Sequence, residues 1–300
     1  MQIRTRQEGG GTAAASHWGI DSEHGRLRDL LVGPIDYYSW TPGNAVAQRS
    51  ERAGLVFDKA VAEAQYREMI AAYEHAGVTV HGLRADAALP YQIYARDSSV
   101  MTPWGAIIMQ LEKPYRRGEY AAVLQFYLEN DIPIYDMITA GNAEGGDFML
   151  LKPGLAVCGY SGERSIAPAV EQLRQWFEAE GWEFLSYAFD PHFLHLDVQM
   201  GIIAEDLAVV CVEAVEPAFV DQLKARGIRI LEISYGDTMN MGTNIMALGD
   251  ERVLIPAGNQ RLIEQCRAEG LEVLDPDVSM IAAGGGSVHC MCQALRRDPA

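Results

Sequence analysis

The stretch Phe148-Met149-Leu150-Leu151-Lys152-Pro153-Gly154-Leu155-Ala156-Val157-Cys158-Gly159 reads as two short apolar strands folded back on Lys152-Pro153-Gly154. Proline followed by glycine punctuates the chain, and brief apolar runs on either side of such a signal fit buried strands. The same form recurs. Ser98 to Leu111 turns on Pro103-Trp104-Gly105, Val198 to Val215 on Ala204-Glu205-Asp206, and Asn244 to Pro256 on Gly249-Asp250-Glu251. The turns lie roughly fifty residues apart, a spacing that indicates a repeat architecture.

Each hairpin is followed by a run with helical spacing: Gly118 to Glu129, Ser165 to Glu180, Glu216 to Arg226 and Asn259 to Glu269. Each helix leads to a short apolar strand, at Pro133-Ile134-Tyr135, Phe184-Leu185-Ser186, Ile228 to Ile233 and Glu272-Val273-Leu274. Leu30 to Gly82 is a less regular unit. It has a short strand at Leu30 to Gly33, a loop-like stretch from Tyr37 to Ser50, a helix over Phe57 to His75 that stops at Gly77, and a strand at Val78 to Gly82. The last unit draws its hairpin partner from the stretch around Cys290. Alternating strand and helix along the chain, with no low-complexity linker, predicts one α/β domain over 17–300 behind a loose tail at 1–16. A closed ring of such units is a pseudo-symmetric β/α propeller, with equivalent loops converging on its axis.

Composition bounds the function. Lys and Arg number 24 against 41 Asp and Glu, a net charge of −17. Nucleic acids and anionic membranes attract basic patches, so neither is expected as a partner, whereas a small cation is. The five cysteines are scattered with no Cys-x-x-Cys pair, which supports neither zinc nor a redox motif and fits a reducing compartment. Met1 to Ser16 lacks the apolar core of a signal peptide, and no apolar run is long enough to span a bilayer. A cytoplasmic protein is the expectation.

Four polar clusters stand at hairpin edges: Arg96-Asp97-Ser98, Glu144-Gly145-Gly146-Asp147, His195-Leu196-Asp197 and Gly284-Gly285-Gly286 leading to His289-Cys290. Each alone has an ordinary reading, as a salt bridge, a turn with a cap, a core histidine, or a glycine turn beside a buried thiol. Together they bring a thiol, an imidazole and several carboxylates to one axis. That set suits attack by a thiolate on a carbon already activated by positive charge. The histidine serves as proton carrier and a carboxylate fixes its tautomer. Further carboxylates crowded together favour a cation between them, and a planar guanidinium fits paired carboxylates better than a compact ammonium. Metal hydrolysis needs a ligand cluster. His192, His195 and Asp197 are the only local candidates, no second cluster completes a site, and no cofactor is implied.

The ordered set resembles the guanidino-modifying enzymes of the pentein superfamily. These five-bladed β/α propellers include arginine deiminase, dimethylarginine dimethylaminohydrolase, agmatine deiminase and the amidinotransferases. The resemblance runs from about Leu30 to the end of the chain. It implies that Cys290 attacks the guanidinium carbon to form a covalent thiouronium, and that His195, oriented by Glu144, protonates the leaving amine and then activates water. It also implies that Asp97 and Asp197 hold the guanidino nitrogens and that Arg164 binds an amino-acid carboxylate. From the residues alone, Arg164 fits a solvated arginine opening a helix equally well. Cys292 is expected to be a bystander on the same strand as Cys290, His289 to face the opposite side, and Asn244 to support the backbone.

Departures within the superfamily narrow the choice. No stretch between Gly159 and Phe193 is long enough for the helical insertion of arginine deiminase. Dimethylarginine dimethylaminohydrolases typically lack both the Arg-Asp pair and the aspartate after the histidine, whereas Asp97 and Asp197 are both here and suit an unsubstituted guanidinium. Amidinotransferases share both aspartates and a run like His289-Cys290 followed by Arg296-Arg297, but they are longer and tend to have Asp where this chain has Glu144. The expectation is a cysteine-dependent hydrolase of arginine or an arginine-like compound, with an amidinotransferase as the alternative and homo-oligomerisation left open. A non-catalytic binding propeller has no need for the thiol, imidazole and paired carboxylates.

Overall fold

The computed structural model describes residues 17–300, so the tail expected at 1–16 lies outside the described residues. The strands form five three-stranded sheets. Four share one plan. Strands β3 (Ser99–Thr102), β6 (Phe148–Lys152), β9 (Met200–Ala204) and β12 (Met246–Gly249) each form an antiparallel hairpin with β4 (Gly105–Ile108), β7 (Leu155–Tyr160), β10 (Leu207–Cys211) and β13 (Arg252–Leu254). A helix then crosses over: α3 (Glu119–Glu129), α4 (Ala167–Ala179), α5 (Pro217–Ala225) or α7 (Gln260–Ala268). The crossover sets a third strand parallel to the second, at β5 (Ile134–Met137), β8 (Glu183–Ala188), β11 (Arg229–Ile233) and β14 (Glu272–Leu274). Two parallel strands need such a crossover, which is why each repeat runs to about fifty residues.

The fifth sheet closes the ring. Strand β15 (Cys292–Arg297) pairs antiparallel with β1 (Leu27–Val32), and β1 pairs parallel with β2 (Thr79–Gly82) across α2 (Lys59–His75). The irregular first unit therefore lacks its own hairpin partner and takes one from the chain's last strand. Around the ring β15 packs on β3 and β9 on β12. Burial continues across these contacts: Val100, Leu150, Met246 and Ala294 belong to one hydrophobic cluster with Leu30 and Leu31.

The stretch expected as a loop from Tyr37 to Ser50 contains a helix, α1 (Ala45–Arg52). Asn44 caps it, its side chain accepting a hydrogen bond from the Ala47 backbone N–H. Pro42-Gly43-Asn44 is thus a helix start, and the capping preference of asparagine was the missed signal. Two further short helices, α6 (Tyr235–Thr238) and α8 (Ser279–Ala282), lie in connections. Among the described residues no helix is long and apolar enough to cross a membrane.

Candidate active site

A polar residue stands just before the first strand of each hairpin, at the same place in every sheet. Asp97 precedes β3, Glu144 precedes β6 and His195 precedes β9, while Asn244 leads into β12 and Cys290 into β15. The lead-ins before β6 and β9 are tight 3-10 turns, Gly145–Asp147 and Leu196–Val198. The glycine at 146 is a packing requirement, since a Cβ there would sit 2.6 Å from His195 Nδ1.

His195 and Glu144 form a buried pair, with Nε2 2.8 Å from Oε2. Glu144 is held at both oxygens. Oε1 accepts from the Glu112 backbone N–H at 2.9 Å and Oε2 also accepts from Arg164 Nη1 at 3.0 Å. Burial opposes the Glu144 charge, but the hydrogen bond from His195 and the Arg164 guanidinium outweigh it and hold its pKa down to about 2. Burial likewise disfavours imidazolium, yet Asp97, Asp147 and Glu144 push the His195 pKa up to about 9. His195 Nδ1 is buried without a hydrogen-bond partner, 3.7 Å from Asp97 Oδ1. The proton-bearing atom available to a bound molecule is therefore Nδ1.

Asp147 lies behind this pair. It accepts from Ser165 Oγ at 2.6 Å and from the Leu196 backbone N–H at 2.9 Å. Burial pushes its pKa up to about 7. It ties the lead-ins of β6 and β9 together, so the Glu144–His195 geometry is set by backbone as well as by side chains.

Cys290 Sγ donates to Asp197 Oδ2 at 3.3 Å and accepts from Asn244 Nδ2 at 3.0 Å. Burial, then Asp197 and Asp97, push the thiol pKa well above its ordinary value. His289 does not face the opposite side as expected: its Nδ1 lies 2.9 Å from the same Asp197 Oδ2. Strand alternation fails here because residues 287–291 form a turn, closed by Met291 N–H to Ser287 O, and β15 begins only at Cys292. Burial works against the Asp197 carboxylate, but His289 holds its pKa below the usual range. Asp197 Oδ1 is buried with no partner.

Asp97, Arg164, His195 and Cys290 line one pocket together with Gly284 to Gly286. Glu144 and Asp197 stand behind the lining. Arg164 is 7% exposed, so it is not a solvated arginine. Sequence reading missed Arg116 on the pocket wall. Its Nη1 donates to Asp97 Oδ2 at 2.8 Å, and its Nε and Nη2 grip Glu119 at 2.9 and 2.8 Å. It also missed Tyr91, Tyr94 and Tyr115, which line the same pocket, and Asn44 from the cap of α1. Arg96 of the Arg-Asp pair serves structure, with Nη2 donating to Glu23 Oε1 at 2.7 Å and to Phe148 O at 2.8 Å.

The metal-ligand candidates rearrange. His192 Nε2 lies 2.7 Å from Tyr235 Oη and joins no ligand group with His195 and Asp197 among the described residues. Asp97, Glu144 and His195 do bring ligand atoms within 4.8 Å of one another. The carboxylates of that group already carry Arg116 and Arg164, so their charge is matched by guanidinium groups.

Known proteins resemble this chain in sequence and in fold. YkgA, an uncharacterised protein of Bacillus subtilis, is 27% identical over 233 residues, 78% of this chain and 79% of its own. The arginine deiminase of Rhodococcus jostii is 26% identical over 285 residues, 82% of this chain and 69% of its own. Among solved structures, the amidinotransferase SxtG of Microseira wollei superposes with a TM-score of 0.78 at 16% identity, covering 95% of this chain and 98% of its own, which shows a common fold. That fold is the pentein fold, and the expected five-unit α/β architecture matches it. Residues 41–297 match the profile of the eukaryotic N,N-dimethylarginine dimethylhydrolases, and the chain belongs to that family of guanidino-modifying enzymes.

Proposed function

We propose that this chain hydrolyses the guanidino group of arginine or an arginine-like amino acid through a covalent adduct on Cys290. The observation that carries the reading is one pocket wall presenting Cys290, Asp97 and a buried, unpartnered His195 Nδ1, with Arg164 at its edge. Arg164 spends only Nη1 on Glu144 among its hydrogen bonds, which leaves donors for a substrate carboxylate.

A buried thiol between two carboxylates is a poor nucleophile until a cation joins it. A guanidinium that meets Asp97 on the lining and draws on the unpartnered Oδ1 of Asp197 behind it is that cation. Cys290 then gives up its proton to solvent, since the protonated His195 cannot accept it, and Sγ attacks the guanidinium carbon, forming an S–C bond. His195, protonated at rest, passes the Nδ1 proton to the departing nitrogen as the C–N bond breaks, leaving a thiouronium. The now neutral imidazole takes a proton from water, and the hydroxide attacks the same carbon. The C–S bond breaks, the added hydroxyl gives its proton to solvent, and a neutral ureido product leaves with the thiolate restored. Glu144 keeps Nε2 engaged, so both proton transfers use Nδ1.

Both aspartates favour an unsubstituted guanidinium over a dimethylated one, because each carboxylate seeks N–H donors. Incubation with arginine, N,N-dimethylarginine, agmatine and shorter guanidino acids, assayed for ureido product and released amine, tests this. Arginine should turn over and Cys290→Ala should abolish it. Turnover surviving in Cys290→Ala would sink the mechanism. If turnover requires an added amine and releases no ammonia, the amine attacks the thiouronium in place of water and the chain is an amidinotransferase.

A further inference from the structure

Asn244 is fully buried and makes three contacts with the turn that carries the thiol. Its Oδ1 accepts from the backbone N–H groups of His289, at 3.0 Å, and Cys290, at 3.2 Å. Its Nδ2 donates to Cys290 Sγ at 3.0 Å. The first two contacts support the backbone, as expected from sequence. The third reaches past the backbone to Sγ itself, where it both selects the thiol rotamer and acts on the sulfur's charge.

The Nδ2 contact addresses an electrostatic difficulty in the site. Sγ faces Asp197 directly, and Asp97 lines the same pocket, so both carboxylates disfavour a thiolate. A positive side chain beside the sulfur would cancel that effect, but it would also repel a cationic substrate. A carboxamide supplies a donor without net charge. His289 is engaged with Asp197, and Arg116 and Arg164 are committed to Asp97 and Glu144.

We propose that Asn244 is a catalytic residue that stabilises the Cys290 thiolate through its Nδ2–H, while its Oδ1 fixes the turn. The proposal rests on Cys290 being the nucleophile. On ionisation the Sγ proton leaves for solvent, Sγ becomes acceptor only, and the Asn244 hydrogen bond becomes charge-assisted and stronger. The same donor faces the sulfur when the thiolate leaves the thiouronium carbon at the end of the cycle.

The test is the rate of Cys290 alkylation by iodoacetamide between pH 6 and 10 in the substrate-free protein, read by mass spectrometry on the Cys290 peptide. Asn244→Asp keeps an acceptor for the two backbone N–H groups and removes the donor; Asn244→Ala removes both. Along the rising limb the rate follows the thiolate fraction. Asn244→Ala should be alkylated about tenfold more slowly than the native protein along the rising limb, equivalent to about one unit in pKa, and Asn244→Asp more slowly still because it also sets a carboxylate beside the sulfur. Unchanged profiles in both, whatever happens to thermal stability, would overturn the proposal and leave Asn244 as a brace. If neither variant folds, the native protein decides. The Asn244 side-chain amide resonances, assigned in the native protein through their bonds to the Asn244 backbone, should shift as Cys290 titrates and stand still in Cys290→Ala. Resonances that do not move in the native protein would refute the contact. Turnover in Cys290→Ala is read separately, and its survival would remove the nucleophile assignment without bearing on the hydrogen bond.

Discussion

His289 Nδ1 lies 2.9 Å from Asp197 Oδ2, the oxygen that Cys290 Sγ meets at 3.3 Å. One carboxylate oxygen therefore receives both the imidazole and the thiol, and Oδ1 is left unpartnered. His289 orients Asp197 and favours its charged form. An asparagine at 289 places an amide N–H close to where Nδ1 stands, so His289→Asn should retain part of this function. His289→Ala should lower kcat by about ten- to a hundredfold, the value of a hydrogen bond to a charged group. His289→Asn should recover most of that loss. Steady-state kinetics on the pair checks it, and equal losses in both would show that Asp197 does not depend on the donor.

Gly146 shows how closely the backbone approaches the imidazole. Because a Cβ there would stand 2.6 Å from His195 Nδ1 and 3.1 Å from Asp97 Oδ1, Gly146→Ala must displace the imidazole and crowd the carboxylate beside it. Displacing a reacting group by about 1 Å can cost about 100-fold in rate. Overpacking a tight site costs about 1–3 kcal/mol. The expected result is a folded protein with activity down about two orders of magnitude. Activity within a few-fold of native would mean that Nδ1 is not the atom that moves the proton.

The fold was readable because its repeat is marked by chemistry that acts locally. Each hairpin has a turn signal between two apolar runs, and each crossover helix has a 3.6-residue pattern. The site residues were readable because they stand at the same edge of each repeat. What sequence hid was set by contacts between distant segments. Arg116 and Arg117 look alike in Tyr115-Arg116-Arg117-Gly118, yet Arg116 is 3% exposed and grips Asp97 and Glu119, while Arg117 is exposed. Glu23 reaches Arg96 across 73 residues with no local mark. His289 was misplaced because strand alternation was extended into a turn, where it has no force.

The two pocket arginines should behave differently when replaced. Arg116 is the buried partner of two buried carboxylates, Asp97 and Glu119. Removing one partner from a buried ion pair costs about 3–5 kcal/mol, so Arg116→Ala should lose that much in denaturant unfolding. Arg164→Ala leaves Glu144 bonded to His195 and to the Glu112 backbone N–H, so it should unfold much closer to native. Its effect should fall on substrate: kcat/KM for arginine should drop about ten- to a hundredfold. Agmatine has no carboxylate, so its smaller kcat/KM should change less. A proportionate loss for both substrates would remove Arg164 as the carboxylate site and leave it as a support for Glu144.

Stability should vary with pH in a direction set by the buried groups. His195 is raised from 6.5 to about 9, so its contribution is fully present below pH 6.5 and is lost as pH rises through 9. Asp147 is an acid raised from 3.8 to about 7, so folding favours its protonated form, and that advantage disappears as pH rises through 7. Glu144 has the opposite sign: lowered from 4.5 to about 2, it stabilises above pH 4.5 and ceases to do so as pH falls through 2. Asp147 already loses its advantage from pH 3.8 upward while Glu144 gains nothing above 4.5, so the three together place maximum stability between about pH 3.8 and 4.5. From pH 6 to 9.5 the unfolding free energy should fall by about 1–3 kcal/mol, allowing for the mutual dependence of His195 and Asp147. His195→Asn removes the titrating imidazole and should flatten that decline. Urea unfolding of both proteins at pH 6, 7.5 and 9.5 tests the sign: a native protein that grows more stable toward pH 9.5 would mean that His195 is not held protonated by its carboxylates.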